Sequence, residues 1–419
     1  MSSKTKTPAT KEDGKPALVP KLRFPGFNAP WAHEPLSRVL KEHKIKNTDG
    51  RDVFSVSMEY GIVNQIELLG RSFAAADTSH YTIGRRYDVV YTKSPLKAFP
   101  FGIVKQCKFD AEVALSPLYG VFTPPNRHLG LMIEAYFESP NRSKVFLSPL
   151  CQKGAKNTLQ ITNTTFLSGR MPLPTQPAEQ QKIAECLSSV DELMAAQSRK
   201  LDALKTHKKG LMQQLFPREG ETQPRLRFPE FLNAGEWETK RVDARGGVLA
   251  GKALAVNASG PLRPYLRTKN VLDGAIDVSD VLTMPMTDAE FSRFEVVEGD
   301  ILLNEGQSLE LVGRTSTYRG EFGRRCAMQN ALLRFRAFPS TCPEFAAQAF
   351  RQCQKDGTFA SISTQTTSIA HLGSSRFSAL ALNWPPSLPE QQRIAACLTS
   401  LDDLIAVQTQ KIEALKTHK

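Results

Sequence analysis

The chain has 419 residues, of which 54 are Lys or Arg and 42 are Asp or Glu, so its formal net charge is +12. At about 100 to 200 residues per domain, this length predicts two to four domains. No apolar run approaches the roughly 18 residues of a membrane-spanning helix, so we expect no association with a membrane. Residues 1–19 are polar and Lys-rich, which predicts a disordered basic tail without a secretory signal and favours a cytoplasmic location.

A short segment near the start of the sequence is written twice. Residues 20–27, PKLRFPGF, return as residues 224–231, PRLRFPEF. A tryptophan follows each copy, Trp31 after the first and Trp237 after the second. Internal repeats of this kind are the first sign of a duplicated architecture.

The variable segment after each short repeat predicts a mixed fold with more strand than helix. β-Branched and aromatic residues alternate or cluster there between Gly and Pro positions. The predicted strands are Val53–Ser57, Val89–Tyr91, Phe101–Val104, Asp300–Leu303 and Ala331–Phe335, and a helix is predicted near Cys342–Gln354.

A longer repeat follows each variable segment. Residues 178–208 align without gaps on residues 389–419, and 19 of the 31 aligned positions are identical. Residues 32–170 and 238–380, in contrast, show no similarity to each other. The sequence therefore predicts two unlike domains, each about 150 residues long, carried by two like elements.

Both long copies have the pattern of a helix. Proline and glutamate in the first turn suit a helix start, and apolar residues recur at alternating spacings of four and three, the 3.5-residue period of a coiled coil. A single stripe of this kind usually packs on a globular core, but two near-identical stripes favour two helices packed on each other about a pseudo-twofold axis. A glutamine at the same position of both stripes would fix the register. The predicted seam consists of Ile183, Leu187, Val190, Met194, Gln197, Leu201, Leu204, Ile394, Leu398, Leu401, Ile405, Gln408, Ile412 and Leu415.

Charge is distributed unevenly along the chain. The two long repeats are neutral, with five basic and five acidic residues in the first and four of each in the second. Residues 245–269 hold five basic residues and no acid, residues 270–312 hold ten acids and one base, and residues 314–336 hold six bases and one acid. This segregation predicts one face toward the phosphates of a nucleic acid and another turned away.

Motifs of a self-sufficient enzyme are absent from the sequence. It contains no phosphate-binding loop, no dinucleotide-binding glycine pattern, no His-Glu-x-x-His and no Gly-x-Ser-x-Gly. The seven Cys lack a Cys-x-x-Cys pair and the His residues are scattered, which favours reduced thiols and no metal site.

The two Glu-Gln-Gln-Lys/Arg-Ile-Ala helices, the repeated Leu-Arg-Phe-Pro segments and the unlike domains between them resemble the specificity subunit of type I restriction-modification systems. The resemblance covers the chain from about Pro20. It implies that each unlike domain reads one half of a bipartite site in double-stranded DNA, and that the helices form a spacer docking two modification subunits. It also implies that the chain is not catalytic and binds no cofactor or metal. S-Adenosylmethionine, ATP and Mg²⁺ would belong to the modification and restriction subunits.

The expected fold is α+β, with two mixed α/β target-recognition domains joined by two long helices in an antiparallel coiled-coil spacer with a pseudo-twofold repeat. A 31-residue helix is about 46 Å long and DNA advances about 34 Å per ten base pairs, so such a chain would read a gapped site. Because the two domains differ in sequence, the site should be asymmetric. The expected parts are the tail 1–19, recognition domain 20–176, helix 177–217, recognition domain 218–386 and helix 387–419.

Candidate DNA-binding residues follow from the resemblance and from side-chain chemistry. Arg and Lys suit guanine or phosphate, whereas Gln and Asn suit adenine. The segments before each long helix, and several basic loops, are similar to DNA-contacting segments of the family, as is the stretch Tyr81–Lys93 with Tyr91. The candidates are Arg85, Lys93, Lys156, Asn157, Gln160, Lys252, Arg267, Lys269, Arg314, Gln365 and Thr366.

Two other classes of function remain open from the sequence. The chain could be an interaction scaffold whose coiled coil joins two protein-binding heads, or a single-chain methyltransferase and nuclease fused to a specificity module. The missing catalytic motifs disfavour the second. One departure from strict repetition is that the first helix pattern continues to Phe216-Pro217, whereas the second copy ends at Lys419.

Overall fold

A computed structural model of the chain describes residues 19–153, 159–218, 220–253, 258–366 and 368–419. Within these ranges no helix combines the length and the apolar character needed to cross a membrane. The described cysteines form no disulfide bond.

The chain divides into two compact units. The first contains the residues up to Ala195 together with His418 and Lys419, and the second contains Ala196–Thr417. The boundary falls inside the first long helix, so each unit includes part of that helix as well as its own sheets.

The first unit combines two four-stranded sheets, two short strand pairs and several helices. Its strands are β1 (Ala32–Pro35), β2 (Lys41–Glu42), β3 (Val53–Ser57), β4 (Gly61–Asn64), β5 (Thr82–Gly84), β6 (Val89–Thr92), β7 (Ile103–Gln106), β8 (Val113–Leu115), β9 (Gly120–Thr123), β10 (Gln152–Lys153), β11 (Leu159–Gln160) and β12 (Arg170–Leu173). Its helices are α1 (Gln65–Leu69), α2 (Arg127–Phe137), α3 (Pro140–Leu147), α4 (Asn163–Ser168) and the beginning of α5 (Pro177–Leu215).

The second unit has the same order of helices and strands, with one strand more. Its strands are β13 (Glu238–Arg241), β14 (Gly246–Ala250), β15 (Leu262–Leu266), β16 (Leu282–Pro285), β17 (Glu295–Val296), β18 (Ile301–Asn304), β19 (Gly306–Gln307), β20 (Thr315–Thr317), β21 (Cys326–Met328), β22 (Leu332–Ala337), β23 (Thr364–Thr366), β24 (Ile369–His371) and β25 (Ala381–Trp384). Its helices are α6 (Asp288–Phe294), α7 (Pro343–Lys355), α8 (Thr358–Ile362), α9 (Ser374–Ala379) and α10 (Leu388–His418).

The two four-stranded sheets of the second unit repeat the strand order of those in the first. The sheet β2-β9-β6-β7 corresponds to β14-β22-β18-β20, and β4-β3-β8-β5 corresponds to β16-β15-β21-β17. Each sheet of the second kind holds one parallel contact at the same place, β3 with β8 and β15 with β21. The strand before each long helix pairs with the strand after each short repeat, β12 with β1 and β25 with β13. Domains that are unlike in sequence are therefore alike in topology.

The central strand of the first sheet in each unit shows how unlike sequences reach one topology. Val89, Val90 and Tyr91 fill β6 in the first unit, whereas residues 301–303, Ile-Leu-Leu, fill β18 in the second, and all of these side chains are fully buried. Cores accept different apolar residues where total volume and patterning are kept. Similarity of fold can therefore persist after sequence similarity is lost.

The predicted secondary structure is largely confirmed within the described residues. The prediction Val53–Ser57 coincides with β3, and the predicted helix lies within one residue of α7. The strand predicted at Phe101–Val104 begins two residues later, because Gly102 lies in the left-handed region with φ of 97°. A Cβ at Gly102 would lie 2.0 Å from the carbonyl oxygen of Thr92, so only glycine allows this close approach.

Candidate nucleic-acid interface

A buried carboxylate at the start of α5 binds the first short repeat. The guanidinium of Arg23 donates to both oxygens of Glu179, each at 2.7 Å, and the indole Nε1 of Trp31 donates to Glu179 Oε1 at 3.1 Å. The Glu179 side chain is only 1% exposed. Such a bidentate, charge-assisted arrangement satisfies a carboxylate that burial would otherwise destabilise.

The second unit repeats this anchor residue for residue. Arg227 donates to both oxygens of Glu390 at 2.7 and 2.8 Å, and Trp237 Nε1 donates to Oε1 at 3.2 Å. The next residue of each helix, Gln180 or Gln391, donates to the backbone carbonyl six residues earlier. The Arg of each short repeat and the Trp that follows it thus form one hydrogen-bonded cluster with the Glu of the next long repeat.

This anchor should make stability depend on pH in the acid range. Burial by itself raises the pKa of Glu179, but the hydrogen bonds from Arg23 and Trp31 outweigh it and hold the pKa below the ordinary value of 4.5. A carboxyl whose pKa is lower in the folded state stabilises the fold above its unfolded pKa, and this contribution is lost as the pH falls through the lowered value.

We therefore expect the free energy of unfolding to fall below about pH 4.5, and we expect Glu179→Gln to remove part of that dependence. Urea unfolding at a series of pH values from 7 to 3 measures it. Glu192→Gln, at an exposed position of α5, is the matched control. An unchanged pH dependence in Glu179→Gln would contradict the assignment.

In the second unit, α5 and α10 contact each other through polar groups. Gln408 Nε2 donates to Gln197 Oε1 at 2.7 Å and to the Gln197 carbonyl at 3.0 Å. Lys208 Nζ lies 2.6 Å from Asp402 Oδ1. Since a later residue of α5 meets an earlier residue of α10, the two helices run in opposite directions along this stretch. The seven predicted seam positions of α10 are buried or partly exposed.

Three of the basic candidates lie around the turn that follows β15. Arg267 Nη2 and Lys269 Nζ each lie 2.6 Å from Asp280 Oδ2. Arg314 Nη2 approaches the carbonyl oxygen of Thr268 at 3.5 Å. Within the described structure, the buried Nε atoms of Arg267 and Arg314 have no hydrogen-bond partner. This turn therefore gathers guanidinium and ammonium groups from separate parts of the sequence.

The polar candidates before α10 lie in a small sheet. Strand β24 pairs with β23 and with β19, which places Gln307, Ala370 and Gln365 side by side in register. Gln365 is exposed, and Thr366 lies in the same strand, but its side chain is outside the described atoms. The carbonyl oxygen of Glu305, next to β19, also accepts a hydrogen bond from the Leu372 amide at 2.9 Å.

This sheet and the basic turn meet at the end of β18. The Asn304 amide donates to the Arg314 carbonyl at 3.0 Å, and the Asn304 carbonyl accepts from the Gly313 amide at 2.9 Å. Residue 304 immediately precedes the segment that joins the small sheet. The backbone at residues 304 and 305 therefore connects the loop of Arg314 with the small sheet that carries Gln365.

Lys252 differs from the expectation of an exposed basic residue. It is 9% exposed and its Nζ lies 2.5 Å from Glu290 Oε1. That hydrogen bond lowers the pKa of Glu290 to about 2. Lys252 is thus engaged by α6 in this structure.

The charge pattern predicted that basic and acidic residues would lie on separate faces. For the described residues this prediction is wrong. The basic stretches pair in space with the acidic stretch that separates them, because the strands bring the two alongside each other. Six of the eleven basic residues in the two basic stretches pair in this way with a residue of the acidic stretch. The pairs are Lys252 with Glu290, Arg263 with Asp288, Arg267 and Lys269 with Asp280, Arg325 with Glu295, and Arg336 with Asp300.

Candidates of the first unit are more dispersed. Arg85 Nε lies 3.0 Å from Glu112 Oε1, and Lys93 is exposed just beyond β6. Tyr91 is not a surface residue, because its ring stacks on Phe166 with the ring centres 4.4 Å apart in the core. Lys156 and Asn157 lie outside the described residues, and Gln160 lies in β11, where its side chain is not described.

Arg376 is an exposed cation of the second unit that was not among the candidates. It lies in α9 and is exposed, and its guanidinium donates to Thr364 Oγ1 at 3.0 Å and to the His371 carbonyl at 2.8 Å. It therefore links α9 to both strands of the β23–β24 hairpin. Its position eleven residues after the candidate Gln365 was the available signal.

Side chains that could hold a metal ion do not gather at this region. Nowhere in the described part of the chain do three or more His, Cys, Asp or Glu residues form such a group. What the geometry offers is hydrogen-bond donors and acceptors on loops and a small sheet, the chemistry of nucleic-acid recognition.

The described residues thus combine a duplicated α+β fold, polar loop clusters and long helices. Residues 264–417 match the family described as type I restriction modification DNA specificity domain. A curated relative, the putative type I restriction enzyme MjaX specificity subunit of Methanocaldococcus jannaschii, is 24% identical over 157 residues, which span 37% of each chain. The family model thus matches one part of the chain, residues 264–417, and the resemblance to specificity subunits that the sequence predicted is confirmed.

Solved structures with similar folds extend over the whole chain. The crystal structure of a type I restriction-modification S subunit from M. genitalium aligns with a TM-score of 0.57 at 12% identity, covering 96% of both chains. A chain from a structural study of complex assembly and conformational transition of the type I R-M system aligns with a TM-score of 0.51 at 15% identity, covering 95% of this chain and 96% of that one. At these identities the likeness concerns the fold alone.

Proposed function

We propose that this chain is the DNA sequence-recognition subunit of a type I restriction-modification complex. Each recognition domain reads one half of an asymmetric, gapped site in double-stranded DNA, and the chain itself is not catalytic. The observation that carries the proposal is that one topology is built twice from unlike sequences and joined to near-identical helices. A protein that reads one repeated sequence would not need two different surfaces.

The chemistry of the second unit supports direct reading of bases. Gln365 is exposed on the small sheet, and Arg267, Lys269 and Arg314 lie around the neighbouring turn. Glutamine can bond adenine with both atoms of its amide, whereas Arg and Lys suit guanine or phosphate. In this proposal the three basic side chains exchange their acidic or carbonyl partners for DNA.

The helices suit a spacer that binds protein. Their long repeats are electrically neutral, so they contribute little to DNA attraction. Leu193 of α5 and Leu404 of α10 occupy aligned positions, and both are exposed, at 41% and 52%. We propose that α5 and α10 form an antiparallel coiled-coil spacer and that these matching surfaces dock two modification subunits.

The proposed complex assigns its chemistry to other chains. Modification subunits would use S-adenosylmethionine, and restriction subunits would use ATP and Mg²⁺, on cytoplasmic DNA. The lack of enzyme motifs in this sequence supports that division.

Methylation mapping in cells that carry the chain with its modification subunits tests the function. We expect one asymmetric motif made of two specified halves with an unspecified gap. A single contiguous motif would contradict the proposal that each domain reads one half of the site. Unmodified DNA in the presence of a folded, assembled complex would favour the scaffold function.

Gln365→Ala should relax one half of the site. Losing a bidentate contact to adenine costs about 1–3 kcal/mol, so methylation should spread to other bases at one position of one half-site while the other half stays unchanged. Gln410→Ala, at an exposed position of α10, is the matched control. Methylation mapping of both variants measures the effect. An unaltered motif in Gln365→Ala would show that this residue does not contact a base.

A further inference from the structure

Each unit contains one Lys–Asp ion pair at aligned positions of the long repeats. In the second unit, Lys208 of α5 lies 2.6 Å from Asp402 of α10. In the first unit, Lys419 lies 2.5 Å from Asp191 of α5. Lys208 aligns with Lys419 and Asp191 aligns with Asp402, so the same pair is formed twice with the roles of the two helices exchanged.

The recognition domain of the second unit attaches to the acidic member of its pair. Asp402 Oδ2 accepts from Gln348 Nε2 at 2.9 Å and from Arg351 Nη1 at 2.8 Å, and both donors belong to α7. Lys208 forms an ion pair with the other oxygen of Asp402, and its side chain is only 9% exposed. Burial raises the pKa of Asp402, but Arg351 and Lys208 more than compensate and the pKa is lowered, so the carboxylate stays charged.

The recognition domain of the first unit attaches to the basic member instead. Glu138 directly follows α2, the counterpart of α7, and its Oε2 lies 2.6 Å from Lys419 Nζ. Its other oxygen accepts from Lys105 Nζ at 2.8 Å. One domain therefore presents a carboxylate to the helices, and the other presents a guanidinium and an amide.

We propose that the repeated Lys–Asp pair is a docking socket of both charges, which lets recognition domains of opposite local charge attach to the same helices. A domain with a carboxylate directly after α2 binds the lysine, and a domain with donors on the corresponding helix, α7, binds the aspartate. The pair thereby allows unlike domains on nearly identical helices. These lysines and aspartates act as positioning residues, and the inference stands whether or not the chain reads DNA.

Hydrogen exchange in the native chain tests the socket. Asp402→Ala should accelerate amide exchange in α7 by about tenfold, while Lys208→Met should have a smaller effect there. In the first unit the order should reverse, with Lys419→Met accelerating exchange at the end of α2 more than Asp191→Ala. Glu413→Gln, on the exposed surface of α10, should change neither.

Exchanging the two domains distinguishes attachment through the Lys–Asp pair from attachment by ordinary packing. In a chain with residues 32–176 and 238–387 interchanged, protection of the transplanted α7 should depend on Asp191, and protection of the transplanted α2 should depend on Lys208. The proposal would be overturned if the transplanted α7 depended on Lys419 instead of Asp191, and the transplanted α2 on Asp402 instead of Lys208. If the exchanged chain does not fold, equal responses to the Lys and Asp substitutions within each native unit would overturn it.

Discussion

Replacing Glu390 with Ala is expected to lower the free energy of unfolding of the second unit by about 3–5 kcal/mol, because it leaves the buried guanidinium of Arg227 without its partner. The Arg227 side chain is 9% exposed and that of Glu390 is 1% exposed, so water cannot replace the lost carboxylate readily. Trp237 loses its indole acceptor at the same time. Hydrogen exchange resolved by unit, together with urea unfolding, measures the loss.

The duplicated anchor supplies its own comparison. Glu179→Ala should destabilise the first unit to a similar extent, since Arg23 and Trp31 bind it with nearly the same geometry. Glu413→Ala, an exposed glutamate of α10, should stay within about 0.5 kcal/mol of the unaltered chain. A loss below about 1 kcal/mol at both Glu179 and Glu390 would show that the anchors are not structural.

Lengthening the helices is expected to change or abolish methylation according to the pitch of DNA. One additional heptad between Leu204 and Lys205, with another between Leu404 and Ile405, retains every contact residue and the seam phase. It lengthens each helix by about 10.5 Å, or about three base pairs, while rotating the seam only slightly. DNA turns by about a third of a revolution over that distance. If each domain reads one half-site, as proposed, the two domains would no longer face their half-sites, and we expect methylation to be lost.

Three additional heptads at the same positions should restore the methylation that one heptad abolishes. They add about 31.5 Å, close to one turn of DNA, so methylation should return at a site whose gap is about nine base pairs longer. Mapping methylated sites in cells carrying each variant distinguishes the results. An unchanged gap and unchanged activity in all variants would contradict the spacer role of α5 and α10.

Repeats and periodicity made the helical part of the fold predictable. The seam spacing that placed Gln197 and Gln408 in one register is a local property of each helix, and the structure has these two side chains hydrogen-bonded. Short strands such as Val53–Ser57 were equally visible, because β-branched residues between turns leave few other conformations. Local patterns of this kind need no knowledge of distant residues.

The candidate interface was predictable only in part. Side-chain chemistry selected Arg314 and Gln365, but the connection between their loops depends on Asn304 bonding the loop at Arg314 and on Glu305 bonding Leu372. Arg376 escaped notice because it stands alone among serines at the start of a short helix. Sequence spacing carries no information on which loops converge.

The sequence by itself determined the duplicated layout, the two neutral helices and the family resemblance, because identity and periodicity are written directly in residue order. Only the tertiary structure decided that the unlike domains share one topology, since different apolar residues can fill the same core. It also decided the balance of charge: +12 remains the net value, yet the basic and acidic runs of the second domain neutralise each other across strands. Ion pairing depends on distance in space, which residue order does not specify.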